Sequence, residues 1–109
     1  KMEVKKRELA RRAARDGKTE FFAVLSSELT EEELGAYALE AYEGQNMEIF
    51  YMAATGLNSQ QADLIAERAY EADRTEYIFA VIPRMSEEQR SALRERAKKN
   101  GRDELGYLF

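Results

Sequence analysis

The side chains in this chain best suited to acid–base or coordination chemistry are its carboxylates, and they recur. Glu20, Glu48, Glu76 and Glu104 stand 28 residues apart, and paired acids appear at Glu31-Glu32-Glu33 and Glu87-Glu88. A glutamate becomes a general acid or base when burial raises its pKa and a second group converges on it. The sequence contains no histidine and no cysteine. That removes the commonest general base, the usual transition-metal ligands and the thiol nucleophile. Asp16-Gly17-Lys18-Thr19 lacks the earlier glycine of a phosphate-binding P-loop. The paired acids fall in first helical turns, where they complement the helix dipole. The chain is therefore read as no enzyme, with no cofactor and no metal.

The surroundings of the glutamates recur with them. Thr19-Glu20-Phe21-Phe22-Ala23-Val24-Leu25 returns as Met47-Glu48-Ile49-Phe50-Tyr51-Met52-Ala53 and as Thr75-Glu76-Tyr77-Ile78-Phe79-Ala80-Val81. A clipped copy follows at Asp103-Glu104-Leu105-Gly106-Tyr107-Leu108-Phe109. A fixed period of this size means stacked copies of one supersecondary unit. The units run approximately over 2–29, 30–57, 58–85 and 86–109, so residues 1–109 form one helical-repeat domain.

Three of the four units begin with a helix-start signature. Thr30 and Glu33, Asn58 and Gln61, and Ser86 and Gln89 are capping boxes, with Leu29, Leu57 and Met85 placed before them as hydrophobic staples. The long helices are expected near 30–43, 58–72 and 86–99, with an uncapped first copy near 2–15. Their shared apolar stripe holds Leu9, Tyr37, Ile65 and Leu93, then Ala13, Ala41, Ala69 and Ala97 four residues on. Turn signals follow at Asp16-Gly17, Gly44-Gln45, Ala72-Asp73 and Asn100-Gly101. Shorter helices are expected near 18–28, 46–56, 74–83 and 102–109. There the recurring glutamate would close a capping box, and the continuous apolar runs would be buried on most sides. Pro83 should end its helix. The expected fold is all-α: an α-α superhelix, or short solenoid, of four two-helix repeats with about eight helices. Phe22, Leu25, Ala41, Phe50, Ile65, Ala69, Ile78 and Val81 are the expected core.

An apolar content of 44% with 35% charged residues fits a folded domain with a genuine core. No apolar run reaches the length of a membrane span, so no membrane partner is expected and the cytoplasm is the default location. The net charge of −4 conceals three zones. Residues 1–18 carry eight Lys/Arg against three acids. Residues 19–67 carry ten acids and no base, and residues 68–109 carry nine bases against eight acids. An acidic middle favours a basic partner.

With its two-helix unit, the chain resembles the α-solenoid class that holds the tetratricopeptide, HEAT and armadillo repeats. The resemblance lies in architecture, since the period of 28 is shorter than the roughly 34 of tetratricopeptide and 40–47 of HEAT or armadillo units. It implies a protein or peptide partner bound along an extended groove. Positions that vary between units supply the candidate surface: Glu40, Arg68 and Arg96, with Glu67. Tyr42 and Tyr70 are equivalent aromatic positions, as are Tyr51, Phe79 and Tyr107. They are read first as a stacking ladder between adjacent units, with each hydroxyl reaching water. The alternative is an aromatic-lined binding face, which adds Tyr42 and Tyr70 to the candidate surface. The competing expectation is a nucleic-acid binder using Arg11, Arg12, Arg15, Arg94 and Lys98 on phosphates. Leu105, Tyr107, Leu108 and Phe109 make an apolar end suited to self-association.

Overall fold

A computed structural model describes the backbone of residues 2–102 and the side chains of residues 4–102. Among them the chain is all-α, with no strand. The helices are α1 (Met2–Asp16), α2 (Thr19–Ser26), α3 (Glu31–Glu43), α4 (Met47–Ala53), α5 (Ser59–Glu71), α6 (Thr75–Val81) and α7 (Glu87–Lys99). Short 3-10 turns, Ala54–Gly56 and Ile82–Arg84, prolong α4 and α6. Pro83 lies in the second of these turns, which explains why α6 stops at Val81. The expected eighth helix and the apolar end Leu105–Phe109 lie outside the described residues.

All three capping boxes form. The Thr30, Asn58 and Ser86 side chains accept the Glu33, Gln61 and Gln89 backbone N–H groups, and those three side chains accept the cap N–H in return. The long helices also end alike. Gly17, Gln45, Asp73 and Gly101 take positive φ, between 59° and 76°. The next N–H then folds back onto an alanine carbonyl: Lys18 to Ala13, Asn46 to Ala41, Arg74 to Ala69 and Arg102 to Ala97, at 2.7–2.9 Å. These are Schellman closures.

That closure corrects the expectation for the recurring glutamate. A capping box needs the backbone N–H of the N-cap residue. At α2, α4 and α6 that residue is Lys18, Asn46 or Arg74, whose N–H is already given to the preceding helix. Glu20, Glu48 and Glu76 instead occupy the second helical position, in the first turn, where they face the positive end of the dipole without a cap bond.

The eight residues expected in the core are all buried. α1 packs on α2 and α3, α3 on α4 and α5, α2 on α4, and α5 on α6. Between the two rows the rings interlock: Tyr42 meets Tyr77 edge-on at 4.9 Å between centroids, and Phe50 meets Tyr77 at 4.9 Å. The alanines Ala10, Ala38 and Ala66 join Ala13, Ala41, Ala69 and Ala97 in the interior of the long-helix row. Gly35 and Gly56 mark a close backbone crossing, where a Cβ on Gly35 would lie 2.6 Å from the Gly56 carbonyl oxygen.

Two expectations about burial fail. Leu9 is 39% exposed, although Tyr37, Ile65 and Leu93 at the same unit position are buried. Tyr37 lies against α1, within reach of the charges of Arg7, Glu8 and Arg11. Among the described residues no helix covers α1 in the same way. The short helices, too, are not buried on most sides: Phe21, Val24, Tyr51 and Phe79 all face solvent.

Candidate interaction surface

The molecule presents two faces of different chemistry. On the long-helix face the varying positions meet each other across neighbouring helices. Arg15 lies 3.3 Å from Glu40, Glu43 lies 3.3 Å from Arg68, and Glu71 lies 3.5 Å from Arg96. Each pair joins residues 25 apart, which places one pair at every junction between long helices. Arg96 also bonds Glu67 at 2.5 Å, and Arg15 reaches Glu43 at 3.7 Å. Glu40 Oε1 is shielded from water without an aligned donor, so Coulomb attraction to Arg15 Nε holds it in place.

Half of the ten acids in the acidic zone of the sequence are thus paired within the molecule. Glu28, Glu33, Glu40, Glu43 and Glu67 all have cationic partners: Lys6, Arg7, Arg11, Arg15, Arg68 and Arg96. Within α1, Glu8 takes Arg11 at 2.7 Å and Arg12 at 3.6 Å. The hydrogen bond from Arg11, with its charge, holds the Glu8 carboxyl below the usual carboxylate range.

The sequence-derived candidates separate accordingly. Glu40, Glu67, Arg68 and Arg96 come together as this ladder. Tyr42 and Tyr70 do not line an open face: each is only 6% exposed. The Tyr70 hydroxyl accepts from Asn100 Nδ2 at 2.8 Å, and the Arg96 and Arg102 guanidiniums each lie 4.5 Å from its ring centroid. Tyr42 is enclosed by Tyr77, Phe50 and Arg74. Among the candidate phosphate contacts, Arg11, Arg12 and Arg15 hold carboxylates. Arg94 donates to Ser91 Oγ at 3.2 Å. Lys98 is exposed, with no acid at ion-pair distance among the described residues. A phosphate backbone would have to displace the acids from α1 before reaching it.

The second face belongs to the short helices. Val24 is 70% exposed, Tyr51 55% and Phe79 37%, with Phe21 beside them and Met52 and Ala80 half-buried. Tyr51 and Phe79 hold one unit position, and Val24, Met52 and Ala80 hold the next. The apolar runs concealed this face in the sequence, because a helix with few polar residues gives no sign of which side lacks a neighbour. The recurring aromatic at Tyr51 and Phe79, from which the sequence offers an aromatic-lined face as its second reading, is the signal that marks it. Compared with protein-family models, curated proteins and solved structures, the chain matches none.

Proposed function

We propose that this chain is a non-enzymatic protein- or peptide-binding helical-repeat module, a short α-solenoid whose units stack through their long helices. The solenoid reading is supported by caps, turns and inter-helix ion pairs that recur at one spacing, and by extents of 50 × 22 × 16 Å. A cytoplasmic setting belongs to the same reading. No described helix is long and apolar enough to cross a membrane.

The observation that carries the function is the exposed apolar face of α2, α4 and α6. The exposed surface of Val24, Tyr51 and Phe79 costs solubility, whereas aromatic side chains in a row supply large contact area to a partner at low entropic cost. Most carboxylates are accounted for by ion pairs and helix starts. Asp63, half-buried one turn from Glu67, has no histidine, cysteine or metal-binding cluster beside it among the described residues, which favours the surface as the working part.

The test pairs affinity capture with nucleic-acid titration. Capture from lysate should yield a protein that is lost with the Tyr51→Ser, Phe79→Ser variant. Labelled single- and double-stranded DNA and RNA should bind weakly. Salt-steep nucleic-acid binding that disappears on charge reversal of Arg94 and Lys98 would replace this reading with the nucleic-acid one.

A further inference from the structure

We propose that the exposed face of α2, α4 and α6 docks a basic amphipathic helix, with its apolar side chains on Val24, Tyr51 and Phe79 and its lysines or arginines on Glu20, Glu48 and Glu76. This rests on the reading of the chain as an interaction module and names the chemistry of its partner.

The placement follows from helix geometry. Glu20 precedes Ala23 and Val24 by three and four residues, Glu48 precedes Tyr51 and Met52 likewise, and Glu76 precedes Phe79 and Ala80. Residues three and four apart share a helix face. Each short helix therefore shows an acid beside an apolar patch on the same exposed side, and all three glutamates are exposed.

Charge then selects the partner. Glu33, Glu40, Glu43, Glu67 and Glu71 of the long helices are held by cations. Glu20, Glu48 and Glu76, like Glu31, Glu32 and Glu88 in the first turns of α3 and α7, have no cation at ion-pair distance among the described residues. The three short-helix acids differ from those in standing beside the exposed apolar row. α2, α4 and α6 contain no Lys or Arg. Of the cations flanking them, Lys18 precedes α2, while Arg74 is turned onto Tyr42. An acid in a first turn by itself only complements the dipole. The same acid next to an exposed apolar row, repeated on three helices, makes a composite surface whose complement is apolar and cationic.

Spacing sets the form of the partner. Packed helices lie about 8–10 Å apart, and seven residues of α-helix advance about 10.5 Å and return to nearly the same face. A helix with basic residues at heptad spacing and leucines between them meets the three glutamates in turn, as an amphipathic helix laid on an apolar face does.

The experiment measures anisotropy of two dye-labelled synthetic helical peptides added to the whole chain. Both carry the same leucine spacing, one with lysines at the polar positions and the other with glutamates. The lysine peptide should bind, more weakly as salt rises, and the glutamate peptide should not. The variant Glu20→Gln, Glu48→Gln, Glu76→Gln should keep its circular dichroism and melting temperature and bind about tenfold more weakly. Equal binding of the two peptides, no binding of the lysine peptide, or an unchanged triple variant would overturn the proposal. If Tyr51→Ser, Phe79→Ser abolishes peptide binding while the triple variant does not, the basic partner falls and the module reading stands. If neither variant alters binding, both fall. Self-association lost with Tyr51→Ser, Phe79→Ser would assign the face to a second copy and overturn the proposal.

Discussion

Arg74 engages Tyr42 twice: its guanidinium lies 5.0 Å from the ring centroid, and its Nη1 donates to the Tyr42 carbonyl oxygen at 3.4 Å. Arg102 repeats both contacts on Tyr70, at 4.5 Å and 3.0 Å. Asn46, one unit earlier, donates to the Ala14 carbonyl at 2.7 Å. All three reach back 32 residues, from the turn of one unit to the last turn of the previous long helix. The carbonyls at a helix end lack intrahelical donors and carry its negative pole. Here the following unit supplies the donor, and twice a positive charge, so capping and stacking are one interaction.

Replacing Arg74 tests that coupling. A hydrogen bond from a charged donor is worth about 1.5–3 kcal/mol, and a cation over a ring at an exposed site about 0.5–1 kcal/mol. Arg74 is partly exposed, so Arg74→Ala should cost about 1–3 kcal/mol in urea denaturation. Arg74→Lys should recover little of it, because an ammonium does not stack on the ring and donate sideways at once. Full stability with lysine would show that charge alone matters.

Gln45 occupies the left-handed turn position, at φ 59°, that glycine fills at Gly17 and Gly101. An L-residue there costs about 1–2 kcal/mol, part of which a glycine returns through unfolded-chain entropy. Gln45→Gly should therefore raise stability by about 0.5–1 kcal/mol, read as a higher urea midpoint at constant slope. Asp73→Gly should gain less, since it also loses the 2.6 Å pair with Arg102.

Phe50 is fully buried between Tyr42 and Tyr77. Phe50→Ala should cost about 3–5 kcal/mol, as large-to-small core changes do. Tyr51→Ser, one residue on and exposed, should change stability by no more than about 0.5 kcal/mol. A comparable loss from the two would mean that Tyr51 is part of the core.

Asp63 has its carboxyl pushed above the usual range, first by burial and then by the charge of Glu67 one turn away. A raised folded-state pKa favours the protonated form on folding. Its contribution is fully present below the unfolded pKa and is lost as pH rises through the folded value. Asp63→Asn should thus be more stable than the parent at pH 7, with the difference vanishing near pH 3. A constant gain across that range would assign the effect to packing rather than charge.

Much of the fold was legible because its signals are local. Thr30 finds Glu33, Asn58 finds Gln61 and Ser86 finds Gln89 within one turn, and Pro83 stops α6 whatever surrounds it. The alanine row and Phe22, Phe50 and Ile78 declared themselves by spacing and volume. The capping role expected for Glu48 failed for an equally local reason: the Asn46 N–H it required was already given to Ala41.

What the sequence by itself determined is therefore local: the helices, the capping boxes at Thr30, Asn58 and Ser86, the stop at Pro83 and core residues such as Phe22, Phe50 and Ile78, all marked by contacts a few positions long or by spacing and volume. Only the tertiary structure decided where each unit's neighbour lies. That neighbour decides between the two readings of Tyr42 and Tyr70 in favour of enclosure, pairs half of the acidic zone, as Glu43 with Arg68, and leaves Leu9, Val24, Tyr51 and Phe79 uncovered. Burial and charge compensation depend on which surface lies opposite, and a partner 25 to 32 residues away leaves no mark on the local spacing of side chains.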